Sequence, residues 1–287
     1  MFWPPEAAVS SDAMRVHHLN CGTMCPFSAR FINGEGSFLA PARMVCHCLL
    51  VESEDGLVLV DTGIGLVDIA APRRVLGPVF VGVVRPRLDP NETAVRQVER
   101  LGFRIDDVRH VVMTHLDPDH SGGLPDFPGA RVHVLDGEHE AAMRRSTMTE
   151  RSRYVTAHWA HQPDWAVHSV GGERWMGFES VHALGGDVEP EVLLVPLVGH
   201  TSGHCGVAVR TGDGWLLHCG DAYFFRDEIA PEPRCPPGLK AFQQMTVTDR
   251  ASRRHNQERL RELKRTKAAE VQLFCSHDGV ELDRLQG

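Results

Sequence analysis

The sequence predicts a mixed α/β (α+β) protein in which sheets and helices lie in layers. Three observations carry that expectation: β-rich apolar runs alternate with runs of helical period, two pairs of neighbouring strands are joined by turn-forming residues, and four strand-like runs end on His or Asp.

The elements follow in order. Arg15 to Asn20, Val45 to Glu52 and Leu57 to Asp61 read as strands, the last two joined by Ser53-Glu54-Asp55-Gly56, so they form a hairpin ending in Val60-Asp61-Thr62-Gly63. Asp89-Pro90-Asn91-Glu92 opens a helix carrying Ala94, Val95, Val98 and Leu101 and closed by Gly102. Val108 to Thr114 is a strand that delivers the chain to His115, and Arg131 to Leu135 is another, followed by a helix capped by Asp136 and ending near Arg145. Residues 146–190 are the least periodic stretch, with Trp159, Trp165 and Trp175, and read as a lid or substrate wall. Strands resume at Glu191 to Leu197, Cys205 to Arg210 and Trp215 to Cys219, with a turn at Thr211-Gly212-Asp213-Gly214. Thr246 to Lys267 reads as one amphipathic helix and Val271 to Cys275 as a last strand.

With 287 residues, 42% of them hydrophobic and 24% charged, the chain can build one large core, and no Ser/Gly/Pro-rich linker divides it. Residues 1–13, rich in Pro, Ser and Ala, read as a flexible N-terminal arm, and residues 14–287 as a single domain. A net charge of -8 opposes broad attraction to nucleic acid or an anionic membrane, so a small-molecule substrate is expected and neither nucleic acid nor membrane is. Eight scattered cysteines lack the density of a disulfide scaffold and read as free thiols. The start has no basic n-region followed by an apolar run, and no apolar stretch is long enough to span a bilayer, so a cytoplasmic protein is expected. Oligomeric state leaves no mark in the sequence.

His115-Leu116-Asp117-Pro118-Asp119-His120 places four metal-competent side chains in six residues directly after a strand. At this composition the pattern arises by chance in about 0.02 of such chains, and a polar turn is the alternative reading. Three companions strengthen the metal reading: Val198-Gly199-His200, Cys219-Gly220-Asp221 and Cys275-Ser276-His277 each end an apolar run, as a site assembled on a sheet edge requires. No Gly-x-Ser-x-Gly elbow, Walker loop or Rossmann fingerprint is present, so neither a Ser nucleophile nor a nucleotide cofactor is implied.

His115 to His120 with Ser121-Gly122-Gly123 resembles the H-x-H-x-D-H-x-G-G signature of the metallo-β-lactamase superfamily. Val60-Asp61-Thr62-Gly63, Gly199-His200, Gly220-Asp221 and Ser276-His277-Asp278 follow in that family's order. The resemblance implies a four-layer αββα sandwich over about residues 14–284, with two divalent metal ions at one edge of the sheets. It assigns His115, Asp117 and His200 to one metal, Asp119, His120 and His277 to the other, and Asp221 to both, with Asp61 orienting the ligands. An Asp rather than a Cys at 221 is similar to the glyoxalase-II and acyl-homoserine-lactone lactonase branches.

Asp117 departs from the family, which has His there. It makes four His and three carboxylates, hardening the first site, so Zn²⁺ is expected first with Mn²⁺ or Fe as alternatives. The implied activity is hydrolysis of a small ester-like bond, lactone first and thioester or phosphodiester behind it, by a metal-bridging hydroxide, with Asp119 accepting a proton. In the lactonases a Tyr three residues after the bridging Asp contacts substrate; here that residue is Phe224, and Tyr223 is the candidate substitute, with packing in a strand-to-loop corner as its alternative. His158, His161, His168 and His182 read as surface or supporting residues, and His204 stands outside the ligand set. The rival to hydrolysis is a di-iron redox or ligand-sensing protein on the same scaffold.

Overall fold

A computed structural model describes residues 15–53, 55–185 and 191–287; the N-terminal arm expected over 1–13 and the end of the 146–190 segment lie outside the described residues. Two six-stranded sheets face each other. The first runs in the order β1 (Val16–Met24), β2 (Met44–Ser53), β3 (Gly56–Val60), β4 (Val108–Val112), β5 (Arg131–Leu135), β6 (Asp164–His168). The second contains β7 (Glu173–Trp175), β8 (Phe178–Ala183), β9 (Val192–Pro196), β10 (Cys205–Thr211), β11 (Gly214–His218) and β12 (Val271–Phe274), with β12 at one edge and β7 at the other.

Strand parity explains the layering, because alternate side chains leave opposite faces of a strand. In β2 and β3, Leu49, Val51, Val58 and Val60 point into the space between the sheets, where they meet Leu194, Val207, Val209 and Phe274. Their neighbours Leu50, Leu57 and Leu59 point outward and pack under Val95, Val98, Ala141 and Ala142 of two helices, Ala94–Arg100 and Asp136–Arg144. On the far side Leu193, Val195, Leu217 and Leu273 receive Leu260 and Leu263 of the helix Arg250–Lys267. The result is helix, sheet, sheet, helix, as expected. Each buried Leu or Val contributes roughly 1.5–3 kcal/mol of transfer free energy, so these three apolar layers supply the main drive for the stack.

Several expected elements differ in detail. The helix expected over 89–102 is two pieces: Asp89 accepts from Asn91 N at 2.9 Å to close a 3₁₀ turn at Pro90–Glu92. Thr93 is then extended and starts Ala94–Arg100 afresh. The helix expected over 246–267 is one helix that starts later, at Arg250, because Asp249 caps Ala251 and Ser252 while Thr248 N and Asp249 N donate to Gly199 O at 3.0 and 2.8 Å. A separate helix, Pro237–Thr246, precedes it, and Gly279–Gln286 closes the chain. Asp136 lies in the first helical turn rather than at the cap, which is Leu135.

The described part of 146–190 is more regular than expected. It forms a helix at Met148–Arg153, then β6 on the edge of the first sheet and β7 and β8 on the edge of the second. Among the described residues no helix is long and apolar enough to cross a membrane, and all eight cysteines are free.

Candidate metal centre

Four loops meet at one edge of the stack, each following a strand. β4 runs parallel to β3, so Thr114, just beyond β4, lies beside Asp61, just beyond β3. The chain then gives His115 and turns at Asp117, which precedes the short helix Pro118–Ser121 with Pro118 at its first position. His200 follows β9, Asp221 follows β11 and His277 follows β12.

The structure brings all seven expected ligands together in two groups whose candidate donor atoms lie within 4.8 Å of one another: His115, Asp117, His200 and Asp221; and Asp119, His120 and His277. Asp221 faces both. Its Oδ2 is 3.7 Å from His115 Nε2 and 3.4 Å from His200 Nε2, Oδ1 is 3.4 Å from His120 Nε2, and His277 Nε2 reaches both, at 3.1 Å from Oδ1 and 3.3 Å from Oδ2. Asp117 Oδ2 lies 3.0 Å from His200 Nε2 and 3.6 Å from His115 Nε2, and Asp119 Oδ2 lies 3.6 Å from His277 Nε2.

Outer partners set the imidazoles. His120 Nδ1 donates to Asp61 Oδ2 at 2.8 Å and His277 Nδ1 to Val45 O at 2.8 Å; both partners can only accept. Thr114 Oγ1 donates to Asp61 Oδ2 at 2.7 Å and is left to accept from His115 Nδ1 at 3.0 Å. In all three rings the proton is therefore drawn to Nδ1, and Nε2 turns its lone pair toward the carboxylates, the arrangement that serves metal-ligating imidazoles. His115 Nε2, His120 Nε2 and Asp221 Oδ1 are buried with no hydrogen-bond partner among the described residues. Buried polar atoms without partners are costly, and a divalent cation would satisfy all three, so the residues present fit a metal.

The charges are set by opposition. Burial would raise the Asp117 carboxyl, but Arg153 and His115 outweigh it and hold it well below the usual carboxylate range. Asp221 is likewise held down, against its burial, by the positive charge of His277 and His120 in their protonated forms, the charge that a bound cation would supply in their place. Burial of His200 outweighs the neighbouring Asp221 and Asp117 and pushes it down to about 4, so it stands neutral and its 3.0 Å approach to Asp117 is a hydrogen bond rather than an ion pair.

Tyr223 does not join the cluster. Its hydroxyl donates to Glu281 Oε2 at 3.2 Å, and its ring packs in the outer core of the second sheet, so the packing alternative describes its place. The next residue, Phe224, faces the site instead, with its ring centroid 4.8 Å from that of His277 and 5.8 Å from that of His200.

Further residues brace the ligands, and of these Glu138 escapes sequence reasoning. Glu138, fully buried, accepts Leu116 N at 2.9 Å and the Thr201 hydroxyl, tying the His115 loop to the His200 loop. His158 bridges Asp68 Oδ1 at 2.8 Å and Ser121 Oγ at 3.0 Å beneath the short helix, the supporting role expected of it. His204, outside the ligand groups as expected, accepts Asp221 N at 2.8 Å. Gly122 has Asp68 against its Cα, leaving no space for a Cβ, which is a packing reason for Gly in this loop. Glu138 lies beyond β5, outside every motif, and carries no spacing signal; only its burial marks it.

Fold and site together define an αββα sandwich with a His/Asp metal-binding edge. The sequence matches the metallo-beta-lactamase superfamily over residues 42–277, and the chain belongs to that superfamily, with metallo-hydrolases among its relatives. It is 43% identical over 274 residues to a probable metallo-hydrolase of Mycobacterium tuberculosis, covering 96% of this chain and 83% of that protein. It is 25% identical over 200 residues to an N-acyl homoserine lactonase of Bacillus thuringiensis subsp. kurstaki, covering 68% and 72%. Among solved structures, an N-acyl homoserine lactone hydrolase with N-hexanoyl-L-homoserine bound at its catalytic metal center superposes with a TM-score of 0.70 at 20% identity, over 95% of this chain and 96% of that one. A dizinc quorum-quenching lactonase gives 0.60 at 16% identity, over 92% and 87%. These likenesses show a shared fold.

Proposed function

We propose that the chain hydrolyses a small ester-like substrate, a lactone first, at a centre of two divalent cations held by His115, Asp117, His200 and Asp221 on one side and Asp119, His120, His277 and Asp221 on the other. The observation that carries this is the place of Asp221 between the ligand groups, with His115 and His200 against Oδ2, His120 against Oδ1 and His277 within reach of both oxygens. Zn²⁺ is the first expectation for these donors, with Mn²⁺ or Fe favoured by the Asp117 carboxylate. When bound, a cation pair supplies Lewis acidity toward the carbonyl oxygen and a hydroxide nucleophile at neutral pH.

The chain's own part is placement and proton handling. Asp61, Thr114 and Val45 orient the imidazoles, and Asp221 holds the two halves in register. Asp119 is the carboxylate this reading assigns to accept the proton released during attack. Beside His277 the opening is lined by Met44, Phe224, Phe225 and Leu239. Its cations are already engaged, Arg226 with Asp278 and Arg43 with Asp283, which suits an uncharged, partly apolar substrate and neither nucleic acid nor a membrane. Free cysteines throughout agree with a reducing compartment such as the cytoplasm.

The resemblance to lactonases at 25% identity supports the lactone reading. Phe224 beside His277 means that no Tyr hydroxyl is offered from position 224. The test is a panel of lactones, thioesters and phosphodiesters against zinc-loaded and chelated protein and Asp221→Ala. Metal-dependent ring opening faster than thioester or phosphodiester cleavage supports the proposal; dominant cleavage of another class corrects the substrate. Absence of any hydrolysis together with a reducible iron chromophore would replace it with a redox function.

A further inference from the structure

Asp117 gives the ligand set three carboxylates, and the position it occupies must tolerate the added negative charge. Arg153, the last residue of the helix Met148–Arg153, meets it from the other side of the loop. Its Nη1 is 3.2 Å from Asp117 Oδ1, while Asp117 Oδ2 is the oxygen turned to His200 and His115. The Arg153 side chain is only 9% exposed, and its guanidinium is held in place by backbone oxygens, donating from Nη1 to His200 O at 3.4 Å and from Nη2 to Thr246 O. It cannot shed its proton at any physiological pH, so the charge is permanent.

We propose that Arg153 is the positioning residue that makes Asp117 usable as a cation ligand. Its positive charge lies against Oδ1 without a hydrogen bond to it and cancels the carboxylate's, while Oδ2 is the oxygen turned to the His115 and His200 imidazoles. Asp117 with Arg153 thus presents His115 and His200 with a neutral third ligand, as a single imidazole would. The two residues are then interchangeable only as a unit. With a His at 117, the retained guanidinium would face the cation unneutralised; with Arg153 removed, a buried carboxylate would lose its partner, which is the more damaging way to break such a pair. The inference rests on the two-cation reading and ties the 146–190 segment to it.

The test is a double-mutant cycle on the full chain, read as Zn²⁺ bound per chain by equilibrium dialysis and as Zn²⁺ affinity by competition with a chelating dye. In the Arg153 background, Asp117→His should weaken the first cation at least tenfold. In the Arg153→Met background the same change should alter affinity by less than about threefold, and metal-free Arg153→Met should melt lower than wild type and recover when Asp117→His is added. Arg153→Lys keeps the charge and should preserve the Asp117→His penalty, which a purely structural role for Arg153 would not. Equal effects of Asp117→His in both backgrounds, with wild type binding two Zn²⁺, would overturn this inference alone. A wild-type protein that binds fewer than two would overturn the cation-pair reading beneath it.

Discussion

His204 accepts the backbone N–H of Asp221 on Nε2 at 2.8 Å and donates Nδ1–H to Leu197 O at 3.0 Å. The ring is fully buried, and that burial, with His115 and His200 nearby, holds it far below the usual imidazole range, so it stands neutral with one fixed tautomer. It therefore sets where Asp221 begins. Gly220 shows how close the fit is: its φ is +52°, and a Cβ there would meet His204 Nε2 at 2.5 Å. His204→Ala and Gly220→Ala should each weaken Zn²⁺ binding by roughly 10–100-fold, the usual effect of losing a partner that orients a ligand. Unchanged affinity in dye competition would mean that Asp221 is placed by something else.

Asp61 works in the same way on the other side. Its carboxylate accepts from Thr114 N, Thr114 Oγ1 and His120 Nδ1, all within 2.8 Å, with φ at +55°, an uncommon backbone for a non-glycine residue. Asp61→Asn replaces one acceptor oxygen by a donor and frees the His120 tautomer. Occupancy of the cation beside His120 should fall by roughly 10–100-fold, measured as metal content after dialysis; full retention would remove Asp61 from the account.

Tyr223→Phe deletes only the hydroxyl bonded to Glu281. Turnover should stay within about twofold of wild type, and stability to urea should drop by about 1 kcal/mol, the typical net worth of one buried hydrogen bond. A loss of turnover of a hundredfold would bring the hydroxyl back into the reaction.

Glu281 carries a pH dependence. Burial, reinforced by Asp278, raises its carboxyl from the ordinary 4.5 to about 7, outweighing the donation from Cys275 N. Below pH 4.5 both folded and unfolded chains hold the proton. Between there and pH 7 the unfolded chain loses it first, so the native state binds more protons and stability falls as pH rises, by at most about 3 kcal/mol in all; above pH 7 the effect is constant. Glu281→Gln keeps the acceptor for Cys275 N and removes the titration. The stability of wild type minus that of the variant, from urea unfolding across pH 4 to 8, should decline over that window; a flat difference would show that Glu281 titrates normally.

The ligands were legible in the sequence because each is a strongly coordinating residue directly after an apolar run, and strand ends on one side of a sheet stack converge. The layers were legible for a related reason: the near-continuous apolar run Val45 to Val51 needs apolar partners on both faces, which only an inner strand has. What stayed hidden depends on parity and distance. Tyr223 and Phe224 are adjacent, and which one faces the metals is decided by how the chain leaves β11, not by spacing. Arg153 and Glu138 reach the site from helices whose own sequence shows no motif. The break after Glu92 and the late start at Arg250 are local interruptions at Thr93 and Asp249, and the contact that fixes the second, Asp249 N to Gly199 O, exists only in the fold.

Anomalous diffraction at the zinc edge from crystals of the zinc-loaded protein tests the central claim most directly. Two peaks about 4 Å apart are expected, one among His115, Asp117 and His200, the other among Asp119, His120 and His277, with Asp221 between them. A single peak, or zinc bound away from Asp221, would contradict it.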